Sequence, residues 1–89
     1  MDGKLIKNDF ENTFLASFGE TFEHVRNDVT LGTIRGIRDK KYIECSSDED
    51  IQPGDMLVSV ATEDYFYITN VSYEVVNNVK TSMYAYFLS

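Results

Sequence analysis

One histidine and one cysteine, His24 and Cys45, set the limits on nucleophilic chemistry in this chain. A thiol nucleophile needs a base beside it and a third group to orient the imidazole. The pair could serve only if segments 21–26 and 42–45 ran side by side. Cys45 lies in a short strand-like run, where a small thiol is ordinarily buried. His24 alternates with Phe22 and Arg26, which predicts a surface or rim position. Zinc needs several Cys or His ligands, and they are lacking. Asp48, Asp50 and Asp55 could present oxygen ligands to calcium, but an EF-hand counted from Asp48 would have Pro53 at its glycine position and Ser59 in place of the closing glutamate. The segment therefore reads as a solvated acidic loop. Gly32 and Gly36 match neither a phosphate-binding loop nor a dinucleotide fingerprint. The expectation is a non-enzymatic chain with no catalytic, cofactor-binding or metal-binding residues.

The elements that would carry such residues are legible from periodicity. Asn8 or Asp9 can cap a helix, and Glu11 stands three residues after Asn8 as in a capping box. Phe10, Phe14, Leu15 and Phe18 then share one helical face, and Gly19 ends the run, predicting a helix over about 9–18 with an inward aromatic stripe. Everything later reads as strand and turn. The predicted strands are 21–26, 29–38, 42–45, 56–60, 65–75 and 81–88. Asn27-Asp28, Asp39-Lys40-Lys41, Pro53-Gly54 and Asn77-Asn78 supply the turns, with Pro53 and Gly54 filling the centre of a type II turn. Gly32 and Gly36 inside a strand suggest bends or bulges. In 65–75, Tyr65, Tyr67, Thr69, Val71, Tyr73 and Val75 alternate with Phe66, Ile68, Asn70, Ser72 and Glu74. One helix and about six short strands predict a mainly β protein, a small and mostly antiparallel β-barrel forming a single domain over residues 1–89.

Composition agrees with one small globular domain: 89 residues, 43% hydrophobic and 26% charged. The net charge of −7 opposes phosphate-coating nucleic-acid binding. The charge is uneven. Seven basic residues balance seven acids through Lys41, whereas from Tyr42 onward Lys80 alone faces Glu44, Asp48, Glu49, Asp50, Asp55, Glu63, Asp64 and Glu74. Such polarity suits head-to-tail stacking or a basic partner, and equally a solvated acidic face. The single cysteine and the absence of a signal-peptide pattern or a long apolar run predict a cytoplasmic setting without membrane association.

The remaining chemistry is recognition. Tyr65, Phe66, Tyr67, Tyr73, Tyr84 and Tyr86 crowd the last two strands, and tyrosine is enriched at protein interfaces because it buries a large ring while keeping a polar tip. These six residues are the candidate partner-binding set. Nucleic-acid platforms interleave aromatics with Lys and Arg, and only Lys80 is near. The final strand is expected to be a sheet edge open to strand addition.

Ile51-Gln52-Pro53-Gly54-Asp55-Met56-Leu57, followed by Tyr65-Phe66-Tyr67-Ile68-Thr69-Asn70-Val71, resembles the small β-barrel proteins of tailed phages and prophages of Gram-positive bacteria, of the head-tail joining or tail-completion type. The start Phe18-Gly19-Glu20-Thr21-Phe22, leading to Gly32-Thr33-Ile34-Arg35-Gly36, is compatible with it. The resemblance implies an assembly role with protein partners, including self-association into a ring, in the bacterial cytoplasm or the virion. It carries over no catalytic residues and no cofactor. The competing expectation is an acidic inhibitor that mimics nucleic acid through Glu44, Asp48, Glu49, Asp50 and Asp55.

Overall fold

A computed structural model describes residues 2–88. Asp2 caps the first helical turn, its carboxylate accepting from the Lys4 N–H at 3.0 Å. The helix then runs as α1 (Gly3–Asp9), a π-helical turn (Phe10–Phe14) and α2 (Leu15–Phe18). It therefore begins six residues before the expected start at 9. The π turn also corrects the aromatic stripe. A wider turn re-phases the faces, so Leu15 alone of the four is buried, Phe10 is half-buried, and Phe14 and Phe18 stand exposed against each other.

Six strands follow: β1 (Glu20–Arg26), β2 (Val29–Arg38), β3 (Tyr42–Cys45), β4 (Met56–Ser59), β5 (Tyr65–Val76) and β6 (Val79–Phe87). All pairings are antiparallel, and the order β1-β2-β3-β6-β5-β4 closes into a barrel. The expected final edge is not one. β6 lies between β3 and β5, inside the sheet order. The hairpins β1–β2 and β5–β6 turn through Asn27-Asp28 and Asn77-Asn78, all four with positive φ. Two successive left-handed residues give the twist that two-residue hairpins require, and Asn and Asp tolerate that conformation best after Gly. Gly54 has φ +96° and the Asp55 N–H donates to the Gln52 carbonyl at 3.0 Å, so the Pro53-Gly54 turn is as the sequence suggests.

Inward side chains of alternating strands fill the barrel. Phe22, Ile43, Cys45, Leu57, Ile68, Met83 and Ala85 are fully buried, with Ile34 and Ile51 joining them. Gly36 permits this packing, because a Cβ there would meet Ile43 Cγ2 at 2.5 Å. Three register shifts interrupt the alternation, one at Leu31 in β2, one at Thr69 in β5 and one at Thr81 in β6. The shift at Thr69 exchanges the faces of β5. Phe66 and Ile68 point inward before it, whereas Val71 packs on the core after it. The uninterrupted two-face alternation predicted for 65–75 is thereby corrected.

Candidate functional site

Two sites arise from this framework, a buried polar cluster under one end of the barrel and an apolar face outside it. The cluster starts with His24, which the inward pleat of β1 buries to 6% exposure, correcting the expected rim position. The type II turn at Pro53-Gly54 delivers Asp55 beneath it, 2% exposed, so Asp55 leaves the solvated acidic loop to which the sequence assigned it. His24 Nε2 lies 2.6 Å from Asp55 Oδ2. An ionised carboxylate only accepts, so Nε2 carries the proton. Arg26 donates to Asp55 from Nε at 2.8 Å and from Nη2 at 2.9 Å, and the Gln52 N–H donates at 2.9 Å. Arg26 also reaches the Asp50 carbonyl at 2.7 Å. Burial alone would raise the Asp55 carboxyl, but the bonds from Arg26, His24 and Gln52 outweigh it and hold the group well below the usual carboxylate range.

This cluster ties β1 to the loop between β3 and β4. Three residue types in one patch resemble a catalytic constellation, yet His24 is engaged with Asp55 and not with Cys45. β2 separates the strands of His24 and Cys45. Burial, with Glu49 and Glu44 nearby, pushes the Cys45 thiol up to about 12, the opposite of an activated thiolate. Among the described residues, no group of three or more His, Cys, Asp and Glu side chains is arranged to hold a metal ion.

The charge halves of the sequence interdigitate in space. Arg38 binds Glu20 at 2.7 Å and Asp64 at 3.2 Å, Lys7 binds Asp48 at 2.7 Å, and Arg26 binds Asp55 and Asp50. Of the five acids expected to mimic a phosphate row, Asp55 is buried, Asp48 and Asp50 are in ion pairs, and Glu44 accepts from the Ser82 hydroxyl.

The six aromatic candidates divide among four places. Phe66 turns inward, with its ring against Phe22 and Phe87 and the Arg38 guanidinium 4.7 Å from its centroid. Tyr84 and Tyr86 lie on the outer face of β6, half-buried in an edge-to-face cluster with Tyr42 of β3. Tyr73 is flanked by Lys80, whose Nζ is 4.2 Å from the ring centroid. Tyr65 and Tyr67 are different, being 73% and 55% exposed on the outer face of β5. Register places Tyr67 beside Met56 and Tyr65 beside Val58, while Val25 of β1 pairs with Met56. Residues in register share a face of the sheet, so Val25, Met56, Val58, Tyr65 and Tyr67 form one continuous apolar surface across β1, β4 and β5. Sequence reasoning found the tyrosines but missed Val25, Met56 and Val58, whose apolar type looked like core until strand neighbours were known. No family model, curated protein or solved structure matches the chain.

Proposed function

We propose that this chain is a non-enzymatic structural or adaptor module that assembles with other proteins through the outer face of β1, β4 and β5. The carrying observation is the exposure of Tyr65 and Tyr67 beside Met56, Val58 and Val25 on one outer face of the barrel. Large apolar surfaces left in water mark contact sites, and aromatic rings at their centre dominate binding energy. The resemblance to head-tail joining and tail-completion proteins supports a place in a phage or prophage particle, as a small barrel between larger parts. The burial of Asp55 and the ion pairs of Asp48 and Asp50 leave the acidic-mimic reading fewer free carboxylates to act through.

The test is recovery of bound protein from the producing cells with wild type and a Tyr65→Ser/Tyr67→Ser variant as bait. Both serines replace exposed rings, so the fold should persist, monitored by melting. The expected result is a defined partner, quantified with both baits, that the variant loses. Equal recovery of the same partner by both baits would remove the surface from consideration.

A further inference from the structure

The apolar face of β1, β4 and β5 ends at the Asn27-Asp28 turn in a cleft of about 200 Å³, lined by Val25, Asn27, Asp28, Gly54, Met56 and Tyr67. Register builds its walls. Met56 stands between Val25 of β1 and Tyr67 of β5, so the tyrosine ring, the thioether and the valine share the outer side of the sheet. The hairpin turn supplies a polar rim, where Asn27 and Asp28 are both exposed. Among the described residues the Asp28 carboxylate has no ion pair and no hydrogen bond. Glu23, in register with Val58, adds a second exposed carboxylate to the same side. β4 and β5 contain no Lys or Arg. The one cation of β1, Arg26, alternates to the opposite side from Val25 and is held by Asp55 and Asp50.

We infer that this cleft receives an arginine side chain of a protein partner, its guanidinium stacked on Tyr67 and bonded to Asp28. The partner is that of the adaptor reading, on which this assignment rests. Charge complementarity selects the occupant. The face carries Glu23 and Asp28 with no cation beside them, so it repels an anionic group and attracts a cationic one. A tyrosine ring attracts cations through its quadrupole. A planar guanidinium can lie on that ring while its fork of N–H donors meets a carboxylate, a geometry that a compact ammonium does not match. Val25 and Met56 would cover the methylene stem, as apolar surface does for long basic side chains. Size favours a side chain over a free ligand. Sites for small molecules are typically about 300–1,000 Å³, whereas this cleft of about 200 Å³ is smaller and continuous with the surrounding contact face.

Titration of the full chain with N-acetyl-arginine amide, followed by backbone amide chemical shifts, tests the cleft without the partner. Saturable shifts should centre on Val25, Asp28, Met56 and Tyr67. The isosteric but uncharged N-acetyl-citrulline amide should bind roughly fivefold more weakly, and Asp28→Asn should weaken the arginine probe by a similar factor. That variant keeps the fold, because the β5–β6 hairpin already turns through Asn77-Asn78 at matching positive φ. No saturable shift with the arginine probe, equal binding of the two probes, an Asp28→Asn protein as responsive as wild type, or shifts centred elsewhere would each overturn the inference. Recovery from the producing cells separates it from the adaptor reading. Asp28→Asn as bait should recover roughly fivefold less of the partner. A partner lost with Tyr65→Ser/Tyr67→Ser but fully retained with Asp28→Asn would leave the contact face standing and remove the arginine from the cleft. With no partner recovered by any bait, the adaptor reading falls, and the arginine and citrulline titrations still decide the chemistry of the cleft.

Discussion

Replacing Asp55 with Asn keeps the size of the side chain but removes the charge on which the buried cluster converges. The Asp55 carboxylate accepts from Arg26 Nε, Arg26 Nη2, the Gln52 N–H and His24 Nε2. An amide has one acceptor oxygen, so in either orientation its NH2 group faces at least one donor. Hydrogen bonds to charged groups contribute about 1.5–3 kcal/mol, and stranding one partner of a buried pair costs about 3–5 kcal/mol. Arg26 is 29% exposed and can turn to water and Asp50, which lowers the figure. The loss should be about 3 kcal/mol at pH 7. For a chain of this size, that corresponds to a melting point lower by roughly 12–24 °C. The pH dependence has a definite sign. The folded-state carboxyl lies below its unfolded value, so its contribution is fully present above about pH 4 and is lost as pH falls through the folded value. Denaturant titration from pH 7 into acid should therefore show a constant gap between wild type and Asp55→Asn down to about pH 4, then a narrowing one. A gap near zero at pH 7, or one that widens in acid, would refute the reasoning.

Two further substitutions separate the faces of β5. Phe66→Ala removes a ring packed on Phe22 and Phe87 and should cost about 3 kcal/mol in denaturant titration, whereas exposed Tyr67→Ala should stay within about 0.5 kcal/mol. Equal destabilisation by both would contradict the inward packing of Phe66 and the outward exposure of Tyr67. Alkylation of Cys45 in the native protein at neutral pH should be slow and accelerate only with denaturant, because the thiol is buried and its ionisation is pushed up to about 12. Rapid native labelling, followed by mass spectrometry, would count against that burial.

The strands were legible because turn chemistry and period-two alternation are local. Asn27-Asp28, Pro53-Gly54 and Asn77-Asn78 mark their turns with residues that tolerate the required backbone, and the barrel follows from strand count. What escaped the sequence depends on long-range register. No local signal marks Thr69 as the residue where β5 changes faces, nor that Phe10–Phe14 widens into a π turn and leaves Phe14 and Phe18 outside. His24 looked like a rim residue because its partner, Asp55, is 31 residues away on a loop that reads as solvent-facing. The proposed interaction surface was half visible: Tyr65 and Tyr67 announce themselves by type, but Val25, Met56 and Val58 become a face only when β4 is seated between β1 and β5.

The most direct test of the assembly reading is hydroxyl-radical footprinting of Tyr65 and Tyr67 in the intact complex recovered from the producing cells, compared with the isolated chain. The expected result is strong protection of both rings in the complex, with exposed Phe18 unchanged as an internal reference. Equal reactivity of Tyr65 and Tyr67 in complex and isolated chain would contradict the assignment of this face to partner contact.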